Sequence, residues 1–161
     1  NSPANTPYPG LNVDGIPLQV YFSPDDGVLN HLLALVNQAQ HSVYFMAYSF
    51  TSDELGEALL GRAADGVEVM GVFETDQYYA NIGTEFDRLV EGGLSVRLDG
   101  NPSHMHHKVL IIDERIVITG SYNFSDNAEQ RNDENLLVIE DPALASLYLN
   151  EFQRVFTLAT P

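Results

Sequence analysis

Cysteine is missing altogether from the 161 residues, lysine occurs once, and basic residues of any kind number 7 against 23 acidic ones. Without cysteine there are no disulfides, no thiolate metal sites and no thiol nucleophile. The formal net charge of −16 opposes long-range attraction to nucleic acid or to anionic lipid headgroups, so a polyanionic ligand must be met by local contacts. No run approaches the roughly 18 consecutive apolar residues of a membrane span, and no stable membrane insertion is expected.

The opening Asn1-Ser2-Pro3-Ala4-Asn5-Thr6-Pro7-Tyr8-Pro9-Gly10 has no charged-then-apolar signal pattern. Its Pro, Asn and Ser content predicts an extended tether over residues 1–15, either the stub of a removed leader or a junction to an upstream domain. Such a tether slightly favours a secreted or extracytoplasmic setting. Residues 16–161 are long enough for one domain that buries roughly two thirds of its unfolded surface.

Periodicity in that segment alternates. Leu18–Phe22 reads as a strand and Val28–Ala39 as a helix, with Val28, Leu29, Leu32, Leu33, Val36 and Ala39 on one stripe. Ser42–Phe50 is apolar on both faces, as in a fully buried strand. Ser52-Asp53-Glu54 starts a helix that stops at Asp65-Gly66. Val67–Phe73 is a strand, Ile82–Val90 a helix and Leu94–Leu98 a strand. This order predicts an α/β fold with a mixed, largely parallel β-sheet and helices on both faces. Beyond Gly100 the rhythm changes to close-set strands at His106–Asp113, Arg115–Thr119 and Asn135–Glu140, which should pair antiparallel, and a closing amphipathic helix over Ala143–Leu158.

Lys108 stands in His106-His107-Lys108 at the start of one of these strands. Residues two apart on a strand share a face, so His106 and Lys108 project together while His107 points away. Gly120-Ser121-Tyr122-Asn123 ends the following strand, where glycine permits close backbone approach and the Ser and Asn side chains offer hydrogen bonds to phosphate oxygens. Arg131-Asn132-Asp133-Glu134-Asn135 places a carboxylate where it can hold an imidazole tautomer. Imidazole, ammonium, hydroxyl, amide and carboxylate together suit transfer of a phosphodiester through a covalent histidine intermediate. Adjacent histidines turn apart on a strand, which argues against reading His104, His106 and His107 as a metal site. No metal and no cofactor are expected.

The spacing His-x-Lys-x4-Asp-x6-Gly-Ser-x-Asn resembles, without a gap, the signature of the phospholipase D superfamily. Tyr48-Ser49-Phe50-Thr51-Ser52 and the stretch from Ser121 to Asn135 are similar to its single-motif bacterial endonuclease branch. The resemblance spans about residues 16–157 and implies a phospholipase D-like α/β/α sandwich forming the catalytic domain. It also implies that His106 is nucleophile or acid, that Lys108, Ser121 and Asn123 hold the phosphate, and that Glu134 pairs with His106. Asp113 belongs to the signature, but strand alternation turns it away from His106 and Lys108, so it and Gly120 are expected to support the site from outside.

One motif supplies one imidazole, whereas the reaction implied by the resemblance uses two. A homodimer with a shared active site is therefore expected. The resemblance favours DNA, cleaved without metal, as the substrate. The alternatives are a phospholipase D-type hydrolase of cardiolipin-like or phosphatidyl lipids, with Tyr78 and Tyr79 on a lipid-facing rim, and a phosphate-binding domain without turnover.

Overall fold

The chain, as a computed structural model, is described for residues 6–7 and 9–160. Strands and helices follow as β1 (Gly10–Val13), β2 (Ile16–Ser23), α1 (Val28–Asn37), β3 (Ser42–Ala47), α2 (Asp53–Ala64), β4 (Glu68–Phe73), α3 (Thr75–Ala80), α4 (Phe86–Glu91) and β5 (Ser95–Leu98). The second half adds β6 (Lys108–Ile112), β7 (Ile116–Gly120), α5 (Asp126–Gln130), β8 (Glu134–Glu140) and α6 (Pro142–Leu158).

All the strands join one eight-stranded sheet in the order β1-β2-β8-β7-β6-β3-β4-β5. Parallel pairing is confined to β3–β4 and β4–β5, and every other neighbour is antiparallel. The sheet is thus mixed as expected but mostly antiparallel, a correction to the largely parallel reading. Strand–helix alternation suggested repeated crossovers, yet β2 does not lie beside β3; it crosses the sheet to pair with β8. The β6–β7–β8 meander fills the gap, and its short β6–β7 turn can join only antiparallel strands.

Helices cover both faces, as expected. β3 is buried at all six positions and serves both layers. Val43, Phe45 and Ala47 pack with Leu32, Leu55, Leu59 and Leu89 of α1, α2 and α4, while Tyr44 and Met46 pack with Ala145, Phe152 and Val155 of α6. A strand between two apolar layers has no polar side to alternate with, hence the unbroken Val-Tyr-Phe-Met run.

Several boundaries differ from the sequence reading. Within the stretch expected as a tether, residues 1–15, Gly10–Val13 forms β1, a hairpin on β2 turned by Asp14 and Gly15 at positive φ; residues 1–5 and 8 lie outside the described residues. The helix expected from Ile82 begins at Phe86, since Gly83 at φ 77 cannot continue an α-helix and Ile82 is left fully outside the core. Helices α3 and α5 escaped notice because six and five residues are too short to show a period. His106 and His107 precede β6 rather than forming its first residues.

Asp113 sits in the β6–β7 turn at φ 51. Its carboxylate accepts the backbone N–H groups of Gln40 (2.9 Å), His41 (2.7 Å) and Ser42 (3.0 Å), tying the turn to the start of β3. Burial pushes its pKa up, but these three donors and nearby His41 outweigh that and bring it below 3.8. A depressed carboxyl pKa stabilises the fold above the unfolded value and loses that contribution as pH falls through the folded one. Asp113→Ala should therefore cost about 1–3 kcal/mol at neutral pH. Urea titrations should show the gap between variant and parent closing under strongly acid conditions, and a gap that ignores pH would contradict the assignment.

Candidate active site

The C-terminal ends of β3 and β7 and the N-terminal ends of β6 and β8 meet at one end of the sheet, as the pairings Ala47↔Lys108 and Gly120↔Leu136 require. His106, Lys108, Gly120, Ser121, Asn123, Glu134 and Asn135 line one groove there. The three peptide segments that carry them are cross-linked to one another or to the segment that follows β3. Tyr48 N–H donates to the carbonyl of His107 at 2.8 Å, Thr51 and Ser52 N–H donate to Phe124 O, and Ser121 N–H donates to Asn135 O.

Lys108 is 7% exposed. Its Nζ lies 3.3 Å from both ring nitrogens of His106 and donates to the His106 carbonyl at 3.1 Å. The same ammonium stands 4.6 Å from the centroid of the Tyr48 ring, which also lies 4.3 Å from the His106 ring. Burial lowers the Lys108 pKa and the negative charge of Glu134 acts against that. His106 is exposed to the groove, yet its pKa is lowered, first by loss of water on the packed side of the ring and then by Lys108 and His104. A neutral imidazole is thereby favoured beside a charged lysine.

Ser121 Oγ accepts the backbone and side-chain amides of Asn135 at 3.1 and 3.3 Å. Its own proton is then free to point into the groove. Asn123 has a buried Oδ1 with no hydrogen-bond partner, and the residue lines the groove, where its Nδ2 is the group able to donate to a phosphate oxygen. Gly120 is required by close approach, because a Cβ there would stand 2.2 Å from Asn135 O.

The structure brings His106, Lys108, Ser121, Asn123 and Glu134 together, with Gly120 behind them. Asp113 lies at the opposite end of β6. Glu134 does not pair with His106 within the protomer; it accepts from Asn132 Nδ2 at 3.0 Å and acts on Lys108 instead. His107 turns to the other face, with Nε2 3.4 Å from Glu151 of α6. His104 turns away from both, toward the buried Glu74 at 3.0 Å and Asp76 at 3.8 Å. Ligand atoms of Glu74, Asp76 and His104 lie within 4.8 Å of one another, so the histidine triplet is not where ligand-type groups converge. Arg131 is exposed and forms no ion pair with Asp133 or Glu134.

A family model described as "Cardiolipin synthase, PLD-like domain" matches residues 32–156. The chain belongs to the phospholipase D superfamily. It is 37% identical to human mitochondrial cardiolipin hydrolase over 136 residues, which are 84% of this chain and 54% of that protein. It is 35% identical to a phospholipase D of Rickettsia prowazekii over 140 residues, 84% of this chain and 66% of the relative. The chain thus spans about half the length of the cardiolipin hydrolase it matches.

Among solved structures, the phospholipase D family member Nuc from Salmonella typhimurium superposes with a TM-score of 0.81 at 32% identity, covering 90% of this chain and 97% of Nuc. NucT from Helicobacter pylori gives 0.84 at 26%, covering 90% and 98%. The superfamily's members are phosphodiester hydrolases, which agrees with a groove built from imidazole, ammonium and amide donors. Among the described residues, no helix is long and apolar enough to cross a membrane.

Sequence reasoning had Tyr48 and Asn135 only as members of resembling stretches, without a role in the site, and missed the Glu74–His104 pair. Tyr48 was recoverable only from the Ala47↔Lys108 register, which sets the residue after β3 beside the start of β6. Nothing in the spacing of Glu74 and His104, 30 positions apart, announces a contact.

Proposed function

We propose that this chain is a metal-independent phosphodiesterase that works through a phosphohistidine, as a homodimer with a composite active site, and that its substrate is DNA. The observation that carries the reading is the ammonium of Lys108 held against both ring nitrogens of His106, in a groove also lined by Ser121 and Asn123. A neutral imidazole attacks phosphorus, an N–P bond forms, and the P–O bond to the leaving alcohol breaks as the partner copy's imidazolium gives that oxygen a proton. Water then attacks the phosphohistidine and yields its proton to the partner imidazole. The P–N bond breaks and both rings return to their starting states. Lys108 and the amide of Asn123 stabilise the extra charge on the phosphoryl oxygens in both transition states.

The DNA reading draws on the alignment over nearly the whole of Nuc and NucT, against about half of the cardiolipin hydrolase. The formal net charge is −16, so the substrate is gripped at the groove rather than drawn in from afar. A lipid reading draws on the cardiolipin-hydrolase relatives and on Tyr79 near the end of α3, 75% exposed, and Ile82 just beyond it, 99% exposed. Tyr78 does not join them as a rim residue; its ring packs on Phe86 and its hydroxyl donates to Asp87.

Labelled single-stranded and duplex DNA, and cardiolipin vesicles, incubated with excess chelator separate the possibilities. DNA cleavage that survives chelator and disappears in His106→Ala is the expected result. Complete inhibition by chelator contradicts the metal-independent reading, and release of phosphatidic acid without DNA cleavage shifts it to lipid. If the parent cleaves nothing while His106→Asn binds an oligonucleotide as the parent does, the chain is a binding domain. Because one histidine must be neutral and its partner charged, and the His106 pKa is lowered by burial and Lys108, the rate should be bell-shaped with its maximum on the acid side of neutrality. A rate that keeps rising through alkaline pH would contradict the two-histidine scheme.

A further inference from the structure

Tyr48 follows the last residue of β3 and belongs to none of the phosphate-binding motifs. Its ring is nevertheless the surface on which both reactive groups rest: the His106 imidazole at 4.3 Å and a tilt of 57°, and the Lys108 ammonium at 4.6 Å. Its position is set from three sides. The backbone N–H is fixed to His107 O at 2.8 Å, the hydroxyl accepts Gln77 Nε2 at 3.2 Å, and the His104 ring stands edge-on at 6.1 Å. Gln77 is itself anchored, its N–H capped by the buried carboxylate of Glu74.

We infer that Tyr48 is a positioning residue, whose aromatic face holds the imidazole of His106 and the ammonium of Lys108 in fixed relation to each other. The inference rests on the phosphodiesterase reading for its kinetic consequence alone. The physical case is that His106 lies in a loop before β6, where no ladder hydrogen bond restrains its ring. The Lys108 ammonium, 3.3 Å from the ring nitrogens, attracts the exposed imidazole but does not by itself fix the tilt of its ring. The electron-rich ring supplies that restraint twice, attracting the ammonium through its quadrupole and covering one side of the imidazole. An aliphatic side chain of similar size covers but does not attract.

The charges facing His106 all bear on the outcome. They are Lys108 from β6, His104 and His107 from its own loop, and Glu74 at the start of α3, with Glu134 of β8 beyond Lys108. Removing the ring of Tyr48 changes none of these groups but admits water to the packed side of the imidazole. The His106 pKa, lowered first by that loss of water, then returns toward 6.5.

The test compares Tyr48→Phe, Tyr48→Leu and Tyr48→Ala in the full chain, by steady-state cleavage of an oligonucleotide and by NMR titration of the His106 ring, assigned by its absence in His106→Asn. Tyr48→Phe keeps the face and should stay within about 3-fold of the parent, with an unchanged titration, since only a neutral hydrogen bond is lost. Tyr48→Ala should lower kcat roughly 10- to 100-fold with KM little altered, and move the His106 titration and the acid limb of the rate to higher pH. Should Ala prevent folding, Tyr48→Leu carries the test, with a fall in kcat where Phe shows none.

Equal damage from Phe and Ala would assign the effect to the hydroxyl and overturn the inference, as would an Ala variant with parental kcat and titration. The titration needs no turnover. A chain that cleaves nothing but whose His106 pKa rises in Tyr48→Ala upholds the positioning role while refuting the phosphodiesterase reading.

Discussion

His106→Asn should lose turnover by on the order of 10⁴-fold, the combined consequence of removing nucleophile and acid from every active site of a symmetric dimer. Little else should change. The side chain is exposed to the groove and makes its contacts with Tyr48 and Lys108, so an amide of similar reach leaves the core untouched. Folding stability and mass in solution should match the parent, and oligonucleotide binding should persist, since Ser121, Asn123 and Lys108 remain. The decisive companion is trapping: a labelled diester, quenched early in turnover, should leave acid-labile phosphate on His106 of the parent and none on the variant. A fully active variant, or a strict monomer with parental rates, would falsify the composite-site scheme.

Lys108→Met should lower kcat/KM by roughly 10²- to 10³-fold, the loss expected when one preorganised charge donor to a developing phosphoryl anion is removed. Its second effect is electrostatic. With the ammonium gone, one of the causes that lowers the His106 pKa disappears while Glu74 still raises it, so the acid limb of the pH profile should move upward. Stability should not fall. At 7% exposure the ammonium is held where its own desolvation opposes the charged form, and methionine fills the same channel without that cost. Lys108→Arg should rescue poorly, because a planar guanidinium does not fit a slot shaped for a single nitrogen between an imidazole and a phenol ring. Steady-state kinetics paired with urea unfolding measures both limbs of this expectation, and a variant that is slower only because it is less stable would contradict it.

Elements with a strong period or a strong cap were legible in the sequence. α2 opens on Ser52, recognisable as a start signal, whose side chain accepts the Leu55 N–H, while α6 was legible from its amphipathic stripe, its cap Asp141 lying just before the expected start. β3 was legible as a buried strand from its unbroken apolar run. Strand neighbours were not. The order of local elements is the same whether β2 lies beside β3 or crosses to β8, since periodicity reports burial and carries no information on partners. The short helices α3 and α5 and the hairpin strand β1 fell below the length at which a pattern can be told from chance.

The candidate site divides in the same way. That His106 and Lys108 share a side while His107 opposes them follows from strand alternation, and it persists although His106 precedes the strand, with Lys108 Nζ against the His106 ring and His107 turned to Glu151. The separate place of Asp113 was likewise legible, five residues along a strand from Lys108. By contrast, the partner of Glu134 was misplaced: the resemblance paired it with His106, whereas within the protomer it bonds Asn132 and faces Lys108.

What the amino-acid order determined unaided is the inventory: a lone ammonium beside an imidazole, a Gly-Ser-x-Asn turn that leaves room for phosphate, and strand and helix segments enough for one layered domain. Those are properties of neighbours along the chain, where covalent geometry and alternation dictate which groups can meet. Only the tertiary structure decided that the end of β3 lies against the start of β6, which puts Tyr48 under both reactive groups, and that most of the sheet runs antiparallel. Contacts between distant segments are chosen by the packing of the whole core, and no local pattern encodes that choice.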